Sequence, residues 1–528
     1  MAAPADTLPG LLAAAVARDP ARSALLSARG CVDYAGLEAQ VDALAAGLAA
    51  RGVTAGTRVG LLLPNWPEWL ALAFAVWRQG AVLVPLSTLY TARELAHALH
   101  VAEVSTLIAV RGFLRHDYAA RLDAIAPGLG GGSAPRTDAL PALQTVVLLE
   151  TPAADVAVDL APLRARAGDP PPCAARPEMA ATICFTSGST AEPKGVVHTQ
   201  RALCRAAVAN ARVLGIGPED RTWGYLPFFF AGGLVAVGLG TLAGGGAVVL
   251  QDVFEPAATL RLLEEERVTV FFAWPHQAEA LLAEPGFARE RLHLRKGVGA
   301  NARWAAALYP PDHHAVGSWG MTEMPPLATA WPWDAPLARR AGSHGPPVGE
   351  RELRIVDPHT GAVLPSEQDG EICLRGPELM TGYLGMPREA CFDADGFFHT
   401  GDLGHLDADG ALHFVGRLRD VIKTAGTNVA AAEVEAVLAA HASIAAAYAV
   451  GVPEPRRGED VGAFVVARGV FDSAAVLAHC RAHLASYKVP RHLWLRREEE
   501  LPQKGSGKVD KAALRAEAAR LTGASGGS

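Results

Sequence analysis

Apolar and polar positions in the first hundred residues alternate between two periods. From Leu37 to Ala50 apolar residues recur at helical spacing, and Gly52 ends the run. Val59–Leu63 is an apolar run stopped by Pro64, Glu68–Arg78 returns to helical spacing, and Ala81–Pro85 is strand-like again. That alternation predicts right-handed βαβ crossovers on a parallel sheet. Gly/Pro-rich loops follow at 127–137 and 167–177, and a further apolar strand is expected at Ala181–Phe185. Beyond about residue 345 short strands are predicted at Glu352–Val356, Gly370–Leu374 and Leu412–Val415, joined by turns at 358–361, 368–370 and 407–410. Past residue 420 the pattern gives a helix (Ala431–Ala439), a strand (Gly462–Ala467) and a helix (Ala474–Ala485), a small α+β unit. A Gly/Ser-rich, frayed tail is expected after Leu521, and no internal repeat is present.

From Thr222 to Gln251 no residue is charged, a length that raises a membrane span. Pro227, Gly232, Gly233, Gly238, Gly240 and Gly244–Gly246 interrupt it. It divides more naturally into an aromatic segment, a small-residue helix, a glycine turn and the strand Ala247–Leu250, all buried core. Met1–Gly10 has neither a basic nor an apolar leader region, so no stable membrane insertion is expected and the cytoplasm is the expected location.

Composition narrows the function classes. The 528 residues suggest two to four domains at about 150 residues each. Half are apolar and 20% charged, which supports a large core. The formal net charge of −7 argues against a nucleic-acid partner. Seven cysteines form no C-x-x-C pair and no metal-ligand cluster along the chain, as expected of free thiols in a reducing compartment. Of 48 basic residues only seven are lysine (194, 296, 423, 488, 504, 508 and 511), leaving 48 − 7 = 41 arginines. A lysine kept in such a background is a candidate for work that needs a compact, mobile charge.

The most informative stretch is Ala181–Val197, ATICFTSGSTAEPKGVV. An apolar strand runs into Thr186, Ser187, Gly188, Ser189 and Thr190, then Pro193, Lys194 and Gly195. Hydroxyls, exposed backbone N–H groups and one mobile cation suit a polyphosphate. The Walker A spacing is absent. A flexible Ser/Gly linker would not sit between an apolar strand and the helical stretch after His198.

This run resembles the phosphate loop of the acyl-adenylate-forming superfamily, which includes acyl-CoA synthetases, luciferases and peptide-synthetase adenylation domains. Gly317–Glu323 (GSWGMTE), Thr400–Gly404 (TGDLG), Gly416–Lys423 (GRLRDVIK) and Leu501–Lys511 (LPQKGSGKVDK) are similar to further family segments, in the family's order. The resemblance implies an α/β fold. Its large N-terminal domain, residues 1–417, would have several subdomains with parallel-rich sheets and a small barrel-like β part. A small mobile α+β domain, 418–528, would follow. It implies an ATP- and Mg2+-dependent ligase that makes acyl-AMP from a carboxylic acid and transfers the acyl group to coenzyme A. Lys508 and Thr322 would be catalytic, and Glu323 would be catalytic and hold the magnesium. Thr186 to Thr190, Lys194, Gly299, Ala300, Trp319 and Gly320 would bind nucleotide. Asp402 would take the ribose and Arg417 would be a second ribose or phosphate contact, with Lys423 and Gly426 serving the second half-reaction. Arg419 would be the hinge. Lys504 and Lys511 are expected to be solvated, as is the loop at His313–His314, and Asp407–Gly410 is expected to be a hairpin turn.

The sequence departs from the family pattern at Ala191 (usually Gly), Ala431 (usually Pro), Phe230 (often His) and Arg419 (commonly Asp or Lys). The family's acid pocket would be lined here by Phe228, Phe229, Phe230, Gly232, Trp274, Val298 and Met324. No acid in 222–251 could pair with an α-ammonium, so a hydrophobic carboxylic acid is expected as the substrate rather than an amino acid. The chain carries no carrier-protein segment after Lys511, which favours free coenzyme A. Loading of a separate carrier protein, or nucleotide binding without catalysis, are the alternatives, and a homodimer is left open.

Overall fold

The computed structural model describes all residues except 1–5, 133–136, 154–155, 165–168, 187–192, 301, 303, 425–426, 455–457, 505–507 and 524–528. The proposed frayed tail therefore lies almost wholly outside the described residues. The chain forms two compact units, 1–352 with 374–397, and 353–373 with 398–528.

The first unit holds two seven-stranded sheets. One runs, edge to edge, through 382–383, 194–199, 180–186, 82–85, 58–62, 106–110 and 145–149, and is parallel from 180–186 onward. The other runs through 314–316, 296–298, 270–271, 221–224, 247–250, 23–27 and 30–33, parallel except for its last pair. Both are the βαβ product of the expected alternation: the helices Tyr34–Ala49 and Pro67–Arg78 and the strands Arg58–Leu62 and Val82–Pro85 lie where the pattern put them, within a few residues.

The helix Pro67–Arg78 is buried almost throughout, which is why its sequence is apolar on every face. Pro67 starts it where a missing N–H costs nothing. Trp77 Nε1 donates to the Ala181 carbonyl at 2.9 Å, while Trp69 packs on Phe228 with centroids 5.3 Å apart. The one acid on this helix, Glu68, accepts from the Val158 N–H at 2.9 Å. A single hydrophobic core joins both sheets through this helix.

The uncharged stretch resolves into the strand Arg221–Gly224, an aromatic loop, a π-helix (Gly232–Leu239), a short α-helix (Gly240–Gly244) and the strand Ala247–Leu250. Gly245, at φ +83°, makes the turn. Among the described residues no helix is long and apolar enough to cross a membrane.

In the second unit the strands Glu352–Val356, Gly370–Arg375, Phe398–Leu406 and Leu412–Arg417 form one sheet in chain order. Asp407–Gly410 is the expected turn, its Asp407 carboxylate accepting from Asp409 and Ala411 N–H. A five-stranded sheet follows, with Ile444–Glu454 and Gly458–Ala467 as a long hairpin. The helices Ala431–Ala440 and Ser473–His483 pack with it in one core.

Two expectations need correcting. Lys511 is not solvated: its Nζ lies 2.6 Å from Glu435 Oε1 and 4.0 Å from Asp420, tying the last helix, Lys511–Leu521, to the helix Ala431–Ala440. Nor is His313–His314 a solvated loop. His313 is buried and accepts from Ala315 N–H at 3.1 Å, and His314 Nδ1 lies 3.1 Å from the Trp333 carbonyl. Both bulky histidines sit at the start of a core strand, where neighbouring backbone satisfies them.

Burial pushes the Glu435 carboxyl up, and the Lys511 ammonium opposes it. Lys511→Ala is expected to lower stability of the second unit by about 1–3 kcal/mol, because a part-buried carboxylate loses its counter-charge. Urea unfolding followed by circular dichroism would check this, with Lys511→Arg recovering most of the loss.

Candidate active site

In the first unit the expected site residues gather at the carboxyl ends of parallel strands, where open α/β sheets bind ligands. Strand 221–224 leads into the aromatic loop, 270–271 into Trp274, 296–298 into Gly299 and Ala300, and 314–316 into the turn that carries Trp319 to Glu323. Strand 221–224 is flanked by 247–250 on one side and 270–271 on the other, so the chain order reverses beside the aromatic loop.

Two glycines in this region admit no side chain. A Cβ on Gly320 would lie 1.5 Å from the Pro326 carbonyl oxygen. One on Gly299, at φ +102°, would lie 2.5 Å from the Trp304 ring. Gly320 lets the chain double back between the paired strands Ser318–Trp319 and Thr329–Ala330, so that Thr322 and Glu323 sit at the turn's crest.

Thr186 and Lys194 face each other as the first register pair of an antiparallel hairpin. The loop residues Ser187, Gly188, Ser189 and Thr190, and the departure Ala191, lie outside the described residues. The hairpin is joined to the Thr322–Glu323 turn by contacts the sequence did not reveal. His198, fully buried, has Nε2 2.8 Å from the Thr322 carbonyl. Tyr383, whose strand pairs with Val196 and Val197, donates its hydroxyl to Glu323 Oε1 at 2.5 Å. Lys194 Nζ lies 5.0 Å from the centre of the same ring. Met380 N–H donates to the Glu323 carbonyl at 2.9 Å. The buried Glu323 is thus held twice, its carboxylate by the Tyr383 hydroxyl and its main chain by Met380. Oriented carboxylate oxygen is a donor suited to a hard divalent ion.

The aromatic loop is shaped by Asn65, which follows the strand Arg58–Leu62. Its Nδ2 donates to the Gly224 and Leu226 carbonyls at 3.0 and 2.8 Å, and its Oδ1 accepts from Phe228 N–H at 2.9 Å. Phe228 turns into the core, whereas Phe229, Phe230 and Trp274 form a continuous aromatic run with centroid spacings of 4.7 and 6.4 Å. Gly232, the first residue of the π-helix, faces open space, with no atom within 4 Å of where a Cβ would stand. Val298 is half-buried at its strand end, and Met324 is fully buried.

In the second unit Asp402 and Arg417 are cross-strand partners, with Arg417 Nε 2.8 Å from Asp402 Oδ1. Thr400 Oγ1 accepts from Asp402 N–H at 3.0 Å and donates to the Ile372 carbonyl at 2.6 Å, fixing the buried aspartate. The Lys508 carbonyl accepts from Lys504 N–H at 2.8 Å. Partial burial, and then the positive charges of Arg417 and Lys504, hold its ammonium below the ordinary lysine pKa. Arg419 lies in the short 3-10 helix Leu418–Asp420 and Lys423 in the strand Val421–Thr424; their side chains and Gly426 are outside the described residues.

Two parallel-rich sheets, a hairpin that carries Lys194, a buried acid at a glycine turn, and a paired Asp/Arg on a separate unit are compatible with a nucleotide-using enzyme. Residues 12–384 match the family model of the AMP-binding enzymes, and residues 433–508 match that of the AMP-binding enzyme C-terminal domain. The chain is 35% identical over 491 residues to a feruloyl-CoA synthase of an Amycolatopsis species, covering 91% of this chain and 93% of that one. It is 34% identical over 534 residues to a sulfoacetate–CoA ligase of Cupriavidus necator, covering 96% and 97%. The ATP-bound crystal structure of MatB from Rhodopseudomonas palustris superposes with a TM-score of 0.84 at 29% identity, covering 98% of this chain and 99% of that one. The chain belongs to the acyl-adenylate-forming superfamily of AMP-binding enzymes. Within it, it is an AMP-forming acid–CoA ligase, which uses ATP to activate a carboxylic acid and passes the acyl group to coenzyme A.

Burial lowers the His198 pKa to about 4, so its ring is neutral at pH 7 and Nε2–H donates to Thr322. The folded chain thus refuses a proton that the unfolded chain takes near pH 6.5. Stability from this group is complete above that pH and is lost as pH falls towards about 4. The thermal midpoint is expected to fall across this window. His198→Gln, which can keep an N–H donor but does not titrate, is expected to show a shallower fall in pH-resolved melting.

Proposed function

We propose that the acid this ligase activates is hydrophobic, and that the chemistry is divided between the two units. The observation that carries the substrate class is the run Phe229–Phe230–Trp274 beside the open space at Gly232, in a segment without charge. Such a wall offers dispersion and apolar burial, and no counter-charge for an ammonium or a second carboxylate. Phe230 makes the rim of the acid site apolar where a histidine would have offered a hydrogen bond.

Thr186, Ser187, Gly188, Ser189, Thr190 and Lys194 would hold the phosphates, with Gly299, Ala300, Trp319 and Gly320 around the rest of the nucleotide. The geometry at Glu323 suits magnesium, with Thr322 beside it; the ion would neutralise phosphate charge when bound. Tyr383 supports that role by orienting one carboxylate oxygen. Asp402 would accept both ribose hydroxyls, and the arginine paired with it would steady them. In the first step a substrate carboxylate oxygen bonds to the α-phosphorus as the bond to the pyrophosphate oxygen breaks. Lys508 would spread the charge that accumulates there. In the second step the coenzyme A thiolate attacks the acyl carbon and AMP leaves. The domain division we favour for this is 1–417 and 418–528, with rotation about Arg419 exchanging Lys508 for the segment around Lys423 and Gly426.

Two measurements test this reading. Pyrophosphate release with ATP and magnesium should be fastest with apolar acids, aliphatic, alicyclic or aryl, and should turn over only when coenzyme A is present. In the same panel Gly232→Leu should shift preference towards smaller acids by at least about tenfold in kcat/KM, as the open space fills. Preference for a charged acid such as sulfoacetate would overturn the substrate assignment. A single burst that coenzyme A cannot turn over would point to a carrier protein as acceptor. Separately, Lys508→Ala should reduce acyl-AMP formation by at least about a thousandfold while thioester formation from supplied acyl-AMP survives. Equal loss or equal survival of both half-reactions would remove the lysine from that role.

A further inference from the structure

Along the sequence the cysteines form no metal-ligand pattern, but folding brings one of them to a histidine and an acid. Glu371 and Cys373 are two apart on the strand Gly370–Arg375 and leave the same face of the sheet. His399 stands on the neighbouring strand, Phe398–Leu406. Its Nδ1 lies 3.6 Å from Cys373 Sγ and 2.8 Å from Glu371 Oε2, and the three potential ligand atoms all lie within 4.8 Å of one another. All three residues belong to the second compact unit.

These separations are close to those of a tetrahedral zinc site. With Zn–S about 2.3 Å and Zn–N about 2.0 Å, a tetrahedral angle puts sulfur and nitrogen about 3.5 Å apart. The Cys373–His399 distance already has this value. The Glu371–His399 contact is a hydrogen bond that needs to open by about half an ångström to admit the ion. A thiolate, an imidazole and a carboxylate suit a borderline-soft first-row ion, not magnesium or calcium, which take oxygen ligands. The carboxylate is already oriented, because Glu371 Oε1 accepts from Gly401 N–H at 3.0 Å. Cys373 is fully buried while the His399 side chain is 37% exposed, so the ion has an approach from the imidazole side.

We propose that Glu371, Cys373 and His399 form a zinc-binding site, with water as fourth ligand, on the strand that also carries Asp402. On binding, the Cys373 thiol gives its proton to solvent, and the His399 proton shared with Glu371 moves to Nε2. Thiolate and carboxylate then balance the charge of the ion, and one proton is released per metal. This inference is independent of the substrate assignment above.

The test uses the full chain after treatment with a chelator. Cobalt(II), as the spectroscopic probe, should bind in a 1:1 ratio with a thiolate-to-metal charge-transfer band and the strong visible bands of a tetrahedral ion, and zinc should displace it. Zinc titrations in buffers of different ionisation enthalpy should report one proton released. Cys373→Ser should abolish the charge-transfer band, and Glu371→Gln should weaken binding by more than about tenfold while leaving the circular dichroism spectrum unchanged. Absence of the band in the wild-type chain, or its persistence in Cys373→Ser, overturns the proposal. If Cys373→Ser does not fold, an unchanged cobalt affinity in Glu371→Gln and in His399→Gln overturns it equally.

Discussion

The constraint that joins the Lys194 hairpin to the Glu323 turn in the large unit is one hydrogen bond from a fully buried histidine. His198 lies on the strand Lys194–Thr199 and Thr322 in the turn between Ser318–Trp319 and Thr329–Ala330, and the 2.8 Å contact between them is where the hairpin meets the glycine turn. In water such a bond would contribute about 1 kcal/mol. It matters through what its loss would leave: a fully buried imidazole N–H with no solvent to turn to. Around it the hydroxyl of Tyr383 and the amide of Met380 hold Glu323 from the same hairpin side. The position of the Glu323 carboxylate is therefore inherited from the strand that carries Tyr383 and its register with Val196 and Val197.

The lysine economy of the chain has a structural counterpart. Lys296 is clasped by Asp220 at 2.7 Å and the Gly215 carbonyl at 2.5 Å. Lys488 is held by Glu433 at 2.7 Å, and Lys511 by Glu435. All three ammonium groups are largely shielded from water and each is paired with an acid, Lys488 with both oxygens of Glu433. For these three lysines the contacts are architectural.

How much was legible in the sequence depended on distance along the chain. Periodicity located the helices Tyr34–Ala49 and Pro67–Arg78 because each is a local pattern set by burial. The strand Ile444–Glu454 went unread because its alanines carry little strand signal, and its partner Gly458–Ala467 selects its conformation through the ladder. Asp402 and Arg417 were found separately, and the hairpin that makes them neighbours was visible only as a turn. Tyr383, His198 and Asn65 were not singled out at all. Their roles arise from partners 60 to 163 residues away, for which no local pattern exists. A shorter separation, 26 to 28 residues, was enough to hide the grouping of Glu371 and Cys373 with His399.

Asn65 adds a temporal consequence. Its amide partners lie 159 to 163 residues further along. At about 5–20 residues per second, a ribosome needs roughly ten to thirty seconds to supply them. During that interval the carboxamide that ends in the interior is still hydrated, and the first strands of one sheet exist without the loop they will shape. The aromatic loop thus takes its shape later than the strand that anchors it, on a scaffold that is made first.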